Sequence, residues 1–137
     1  MKKVFVDTDV CIDLLSGRKP FNSFAEKLFT LADTNQIKIC VSSLSFANID
    51  YILHSQYSVH NSRQILAKFK TLVTVLSVDS KTIDLAIASD FADFEDSIQY
   101  FSAIDNGIEI LITRNTKDFK KSTIKVMTPE TYLTKTI

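Results

Sequence analysis

Short, almost unbroken apolar runs recur along the chain, and segments with helical spacing of apolar residues separate them. The apolar runs cover residues 3–6, 37–41, 74–78, 108–113 and 125–127. The helical segments cover residues 10–15, 22–32, 42–54, 58–69, 82–89 and 94–106. Strands that are apolar on both faces and alternate with helices form a parallel sheet covered on both sides. The sequence therefore predicts a three-layer α/β/α fold around a central, mostly parallel sheet of four to five strands.

Helix starts and helix faces give more local expectations. Serine and asparagine side chains accept hydrogen bonds from the first free N–H groups of a helix. We therefore expect Asn22 or Ser23 to cap the second helix, and Ser42 or Ser43 to cap the third. The residues expected to face the core are Val59, Ile65, Leu66 and Phe69 of the fourth helix. On other helices, Phe46, Tyr51, Tyr100 and Phe101 are expected to serve in packing or in a dimer contact.

Length and composition point to an ordinary globular protein. The 137 residues, 45% hydrophobic and 23% charged, fit one domain spanning residues 1–137. The apolar runs are too short to cross a bilayer, and no secretory signal is visible. Cys11 and Cys40 lie far apart in apolar segments, so we expect reduced core thiols. A cytoplasmic location without membrane contact follows as the expectation.

Acidic residues follow the predicted strands at places that converge in a parallel sheet. Asp7 comes directly after the first strand, Asp96 opens the helix that leads into the fourth strand, and Asp118 follows that strand. Ligands in such folds bind outside the carboxyl ends of the strands. Carboxylates gathered there repel one another, and a divalent cation between them offsets that cost. The pattern predicts a site for Mg²⁺ or Mn²⁺, with one or two ions.

Each aspartate also has a purely structural interpretation. Asp96 lies in the acidic first turn of a helix, where the helix dipole favours negative charge in any protein. Asp118 fits a turn, and taken alone both residues fit a structural role better. Asp7 differs, because a carboxylate at the end of a buried strand is hard to explain as a solvated surface charge.

Three segments carry a resemblance to a known family. The sequence VFVDTDVCIDLL at residues 4–15 resembles the opening strand and acidic loop of the PIN-domain ribonuclease family, which includes the toxins of bacterial toxin–antitoxin pairs. DFEDSIQY at residues 93–100 resembles its central acidic helix. ILITRNTKDF at residues 110–119 resembles its last core strand and the following turn. Each motif alone is weak, but the order and spacing of the three are fairly specific.

The resemblance implies a function and a set of site residues. It matches Asp7, Asp96 and Asp118 to the metal-binding, catalytic positions of the family, with Asp9 and Asn115 beside them. It implies hydrolysis of RNA phosphodiester bonds, a small antitoxin protein as partner, and a homodimer. The family usually has a further Glu on the helix after the second strand.

Asn48 stands at the position of that Glu in this chain. An amide oxygen can bind a cation but brings no charge. The departure predicts a lower metal affinity or a lower activity than the family pattern would give.

Neighbouring polar and basic residues complete the expected site. Thr8 and Thr113 lie near strand ends, where their hydroxyls can hydrogen-bond a ligand carboxylate or a phosphate. Sixteen Lys and Arg residues balance sixteen Asp and Glu residues, so contact with RNA must come from a local basic cluster. Arg18, Arg114 and Lys117 are expected to bind RNA phosphates, although a solvated charged surface would explain them almost as well.

Two other functions remain open at this point. A PIN-like module weakened by the Asn48 change would bind RNA or a protein partner without cleaving RNA. More distantly, Asp7-Thr8-Asp9 resembles the nucleophile loop of aspartate-nucleophile phosphatases. The sequence lacks the Gly-Asp-containing acidic motif that those enzymes need. A phosphorylated Asp7 would distinguish a phosphatase from a nuclease.

Overall fold

A five-stranded, fully parallel sheet forms the centre of the protein. The computed structural model describes residues 1–136, and within them the strand order is β3-β2-β1-β4-β5. The strands are β1 (Lys2–Val6), β2 (Ile37–Ser42), β3 (Thr74–Leu76), β4 (Ile110–Ile112) and β5 (Lys125–Met127). The predicted three-layer fold with a parallel sheet is confirmed, and the third and fourth strands are shorter than expected.

Helices connect the strands and cover both faces of the sheet. Over residues 1–136 they are α1 (Thr8–Ser16), α2 (Asn22–Asp33), α3 (Ser43–Leu53), α4 (Val59–Leu72), α5 (Ser80–Ala88), α6 (Phe94–Asp105) and α7 (Pro129–Thr136), with a short 3₁₀ helix at Thr116–Phe119. We did not predict α7, because its sequence is short and mostly polar and only Pro129, Tyr132 and Leu133 are described as buried. No helix within residues 1–136 is long and apolar enough to span a bilayer.

Alternating residues of the central strands divide the core in two. Val4 and Val6 of β1 pack with residues of α1 to α4 and α7 on one face of the sheet. Phe5, between them, packs on the other face with Tyr100 and Ala103 of α6. This alternation is the normal consequence of the strand pleat. It explains why β1 is apolar without a break, since both of its faces are buried.

Some local expectations were wrong. Asn22 is the first residue of α2, and Phe21 precedes it as the N-cap without a side-chain cap bond. Val59 begins α4 and is 58% exposed, because the first residue of the helix lies beyond the face that packs on the sheet. Tyr51 is 79% exposed on α3, so it does not pack in the core, and the alternative of a dimer contact stays a prediction. Ser42 does cap α3, accepting a hydrogen bond from the Leu44 N–H.

Candidate active site

A cavity of about 420 Å³ opens at the carboxyl ends of β1 and β4. Asp7 follows β1, and its backbone N–H donates to the Ile112 carbonyl of β4 at 2.9 Å, so the two strand ends lie side by side. Residues from four parts of the chain line this cavity: Asp7, Thr8, Asp9, Ile12, Arg18, Asn48, Tyr51, Ile52, Asp93, Glu95, Asp96, Asn115 and Asp118. The structure therefore brings Asp7, Asp96 and Asp118 to one cavity, as the sequence predicted.

Asp7 is held rigidly at the floor of the cavity. It lies at the N-cap position of α1, yet its side chain makes no cap bond. Its Oδ1 instead accepts a hydrogen bond from Gln99 Nε2 at 2.8 Å, and its Oδ2 accepts one from Thr113 Oγ1 at 2.6 Å. The residue is only 6% exposed. Two neutral donors thus fix the orientation of a buried carboxylate without cancelling its charge.

Gln99 links α6 to the start of α1, and sequence reasoning missed it. Its Oε1 accepts hydrogen bonds from both the backbone N–H and the hydroxyl of Thr8, each at 3.1 Å. The Thr8 hydroxyl also hydrogen-bonds the Ser45 hydroxyl at 2.7 Å. Gln99 comes three residues after Asp96, on the same face of α6. That spacing was the signal that could have identified it.

The first turn of α6 carries three acidic residues with different roles. Asp93 is the N-cap, and its Oδ1 accepts a hydrogen bond from the Asp96 N–H at 3.0 Å. The capping role is therefore filled, and the half-buried Asp96 and Glu95 side chains line the cavity. Glu95 Oε2 accepts a hydrogen bond from Asn48 Nδ2 at 2.5 Å. Sequence reasoning did not single out Glu95, because nothing local showed that it would meet α3.

The turn after β4 is joined to α1 on the opposite wall. Asn115 Nδ2 donates to Asp9 Oδ2 at 2.9 Å, and the Asn115 N–H donates to Thr113 Oγ1 at 3.1 Å. The Asp118 N–H donates to the Asn115 carbonyl at 2.9 Å, which places Asp118 in the 3₁₀ turn at the rim. Asp9 Oδ1 is buried and has no hydrogen-bond partner in the part of the chain that the structure describes.

Burial and mutual repulsion raise the pKa values of these carboxyl groups. Burial, followed by the charge of Asp7, raises the pKa of Asp9 to about 8. Burial, and then repulsion from Asp7, Asp93 and Asp118, raises the pKa of Asp96 to about 7. Burial raises the pKa of Asp7, although the bonds from Thr113 and Gln99 oppose this. The metal-free cavity therefore resists full ionisation of its carboxyl groups, because its surroundings do not offset their charges.

The basic residues predicted to bind RNA occupy different places. Arg18 is exposed and lines the acidic cavity. Arg114 lines a separate, smaller cavity, where its Nε donates to Asp13 Oδ2 at 2.6 Å and its guanidinium lies 4.1 Å from the centre of the Phe21 ring. Lys117 is exposed on the 3₁₀ turn beside Asp118. Of the three, only Arg18 has a side chain placed in the cavity wall.

The donor set of the cavity fits a hard divalent cation. Mg²⁺ and Mn²⁺ prefer carboxylate and amide oxygens, and both kinds line this cavity. The unpartnered Asp9 Oδ1 is a further free oxygen donor. Among residues 1–136, however, no three Asp, Glu, His or Cys side chains stand close enough together to hold an ion as they are placed. The chemistry of the residues fits a cation better than their present spacing does.

A comparison with protein families and curated sequences agrees with the resemblance. The sequence model of the PIN domain matches residues 3–117. A curated relative named Ribonuclease VapC1, from Aquifex aeolicus (strain VF5), is 26% identical over 139 residues, covering 96% of this chain and 93% of that protein.

Solved structures share the fold at low sequence identity. The DNA-bound VapBC structure from Salmonella typhimurium has a TM-score of 0.71 at 18% identity, covering 94% of this chain and 99% of that chain. A toxin–antitoxin complex from Klebsiella pneumoniae has a TM-score of 0.67 at 22% identity, covering 92% of this chain and 97% of that chain. At such identities the likeness bears on the fold alone.

Proposed function

The chain belongs to the PIN domain family, and on that premise we propose that it is a metal-dependent endoribonuclease that hydrolyses RNA phosphodiester bonds. The observation that carries the proposal is the convergence of Asp7, Asp96 and Asp118 on one open cavity, from three separate segments of the chain. A structural role for each aspartate alone would not require that convergence. The name of the Aquifex relative, a ribonuclease, supports the same reaction.

Mg²⁺ or Mn²⁺ would be held by Asp7, Asp96 and Asp118. A divalent cation supplies Lewis-acid chemistry, because it lowers the pKa of water and offsets charge on the phosphate and on the leaving oxygen. In the proposed reaction, water attacks phosphorus, and the bond to the leaving ribose oxygen breaks as that oxygen gains a proton. No histidine is needed as the base.

The chain's own residues orient the reactants. Gln99 and Thr113 hold the Asp7 carboxylate in one orientation, which keeps a ligand oxygen directed into the cavity. Asn115 fixes the turn that carries Asp118 against Asp9 on α1. Arg18 at the cavity wall, with the exposed Lys117 beside Asp118, would bind the phosphates flanking the cleaved bond.

We further propose that the protein is the toxin of a toxin–antitoxin pair. The relative from Klebsiella pneumoniae is described as a toxin–antitoxin complex, and the Salmonella relative as DNA-bound VapBC. By analogy, a small antitoxin protein would block the cavity, and the toxin would form a homodimer. A cytoplasmic location is proposed with it, because RNA substrates and reduced thiols such as the buried Cys11 and Cys40 are found there.

One observation favours a second candidate, a PIN module that binds RNA or a protein without cleaving RNA. Asn48 brings no charge to the cavity wall, where the resemblance led us to expect a Glu. The two candidates differ in catalysis and not in fold or in partner, so only a cleavage measurement separates them.

Purified protein should be incubated with single-stranded and with structured RNA, with Mn²⁺, with Mg²⁺ and with excess EDTA. We expect cleavage with either ion and none with EDTA. Asp7→Asn and Asp96→Asn should each lower the rate by roughly 10²-fold or more, because each removes a carboxylate that would hold the cation on which charge stabilisation at the phosphate depends. Asp84→Asn, at an exposed acidic residue of α5, is the matched control and should cleave at the wild-type rate. Binding of RNA without any cleavage would establish the second candidate instead.

A further inference from the structure

The contact between Asn48 and Glu95 joins two walls of the acidic cavity. Asn48 lies on α3 and Glu95 lies in the first turn of α6, 47 residues later, and both line the cavity. Asn48 Nδ2 donates to Glu95 Oε2 at 2.5 Å. This is a short, charge-assisted bond, of the kind that fixes the orientation of both side chains.

The position of Glu95 has no sufficient explanation in helix capping. Asp93 already caps α6 by accepting the Asp96 N–H. A first-turn Glu that served the helix dipole alone could point into solvent, where its charge is cheaply hydrated. Glu95 is instead half-buried in the cavity that Asp7 and Asp96 also line. Holding a further carboxylate there costs free energy unless something positive enters the cavity.

The neutral side chain at position 48 is what allows this arrangement. An amide can donate a hydrogen bond to a carboxylate, whereas a carboxylate at the same position would repel it. Nδ2 of Asn48 is directed at Glu95, so the amide acts as a support for the Glu95 carboxylate. The charge that α3 does not supply is thus present on the neighbouring wall.

We infer that Glu95 is a metal-contacting carboxylate of the cavity and that Asn48 is its positioning residue. The inference rests on the proposed function, since it assigns a ligand to the same site. It predicts that the Asn48 change moves a negative charge from α3 to α6 and does not remove it from the site. Glu95 and Asn48 then act as one unit in cation binding.

Mn²⁺ binding to the purified full chain, followed by titration calorimetry, tests the inference without relying on catalysis. Glu95→Gln keeps the shape and can still accept the hydrogen bond from Asn48, so we expect normal folding and an Mn²⁺ affinity lower by roughly 10-fold or more. Asn48→Ala should lower the affinity by a smaller factor, since the carboxylate remains but loses its support. The double variant Asn48→Glu with Glu95→Gln should recover most of the wild-type affinity.

Glu109→Gln, at an exposed glutamate before β4, is the matched control and should bind Mn²⁺ as the wild type does. Thermal denaturation of each variant shows whether it is folded. An unchanged Mn²⁺ affinity in folded Glu95→Gln would overturn the assignment of Glu95. An unchanged affinity in Asn48→Ala, or no recovery in the double variant, would overturn the role of Asn48.

RNA cleavage, measured on the same samples, separates this inference from the proposed function. Wild-type protein that binds Mn²⁺ but cuts no RNA would refute the nuclease and leave Glu95 as a ligand. Wild-type protein that cuts RNA, with an unaffected Mn²⁺ affinity in Glu95→Gln, would refute Glu95 alone. Wild-type protein that binds no Mn²⁺ would overturn both.

Discussion

Two aspartates of α1, one turn apart, meet opposite electrostatic surroundings. Asp13 has a side chain that is 1% exposed, and it accepts hydrogen bonds from Arg114 Nε at 2.6 Å and Nη2 at 3.3 Å. The Nε of Arg18 also lies 3.9 Å from Asp13 Oδ1. Asp9 faces the acidic cavity, where its partner is the neutral amide of Asn115 and its Oδ1 has no hydrogen-bond partner in residues 1–136. Helix α1 thus carries one aspartate, Asp13, that an arginine pairs with directly. Its other aspartate, Asp9, has only a neutral hydrogen-bond donor.

This difference supports the proposal that Asp9 belongs to a functional site, whereas Asp13 serves the fold. At Asp13 the fold supplies the counter-charge, and the bonds and charge of Arg114 oppose the rise in pKa that burial causes. At Asp9 burial and the charge of Asp7 raise the pKa to about 8, because the charge of Arg114, which donates its hydrogen bonds to Asp13, opposes only part of that rise. A buried charge without a counter-ion is costly, and carboxyl groups with strongly perturbed pKa values concentrate in functional clefts. A protein seldom keeps such a group except where a ligand compensates it.

The largest effect on folding is expected at the neutralised aspartate. Asp13→Ala leaves Arg114, whose side chain is 21% exposed, without its carboxylate partner. We expect the free energy of unfolding in urea to fall by about 2–3 kcal/mol, less than for a fully buried pair because water reaches part of the guanidinium. Asp33→Ala, at an exposed end of α2, is the control and should change it by less than about 0.5 kcal/mol. A similar small change for Asp13→Ala would show that the ion pair is not structural.

The stability of the metal-free protein should depend on pH because the carboxyl groups in the cavity have raised pKa values. Asp9 and Asp96 have folded pKa values of about 8 and about 7, above the ordinary 3.8. Between pH 3.8 and these folded pKa values, the unfolded chain has released protons that the folded chain still holds. Rising pH therefore favours unfolding. Stability should be greatest near pH 4 to 5 and lower by pH 8, on the order of 2 kcal/mol after screening of the half-exposed Asp96 is allowed for.

Urea unfolding in EDTA at several pH values measures this dependence. Adding Mn²⁺ at pH 8 should restore the lost stability, because the ion binds the ionised carboxylates of the folded state only. A metal-free protein that is as stable at pH 8 as at pH 5 would contradict the electrostatic account of the cavity.

Asp9→Asn should stabilise the folded protein, whereas Asp13→Ala should destabilise it. It removes a poorly compensated buried charge, and Asn keeps the shape of the side chain. In EDTA at pH 8 the melting temperature should rise by about 3 °C, which corresponds to about 1 kcal/mol in a chain of this size. The difference from wild type should shrink as the pH falls and should nearly disappear below about pH 4, where Asp9 is protonated in the folded and in the unfolded chain. Destabilisation at pH 8 would mean that Asp9 has a counter-charge after all.

The smallest expected effect is on the KM for RNA, and it distinguishes the roles of the two arginines beside α1. Arg18→Gln removes the positively charged side chain in the cavity wall, and the KM for RNA should rise about threefold. The slope of log affinity against log salt concentration should fall by the amount expected for about one phosphate contact. Arg114→Gln should leave KM near the wild-type value while lowering the urea midpoint, since its guanidinium serves Asp13. An equal rise in KM for both variants would place Arg114 in the RNA-binding surface as well.

Local sequence patterns identified most of the fold and part of the site. The apolar runs predicted the parallel sheet because buried strands need no polar face, and Asp7 stood out because a charge at the end of such a strand is unusual. The same patterns misplaced Val59, since helical spacing indicates a periodic face without showing what packs against it. Phe21, which precedes α2, shows that a cap-forming residue is not required at every helix start.

The side-chain contacts that the sequence did not predict are long-range, and Gln99 and Glu95 were missed as site residues for that reason. Gln99 reaches Asp7 across 92 residues, Arg114 reaches Asp13 across 101, and Asn48 reaches Glu95 across 47. No local propensity encodes such pairings. Glu95 looked like an ordinary first-turn acid until the fold placed α3 beside it.

By itself, the sequence determined the order of strands and helices, the parallel sheet and the acidic residue at the end of β1, because periodicity and burial act over a few neighbouring residues. Only the tertiary structure decided which buried carboxylates received an arginine and which were left facing a cavity. Compensation of a charge depends on distance in space, and the fold alone brings Arg114 to Asp13 while leaving Asp7 and Asp9 with neutral donors.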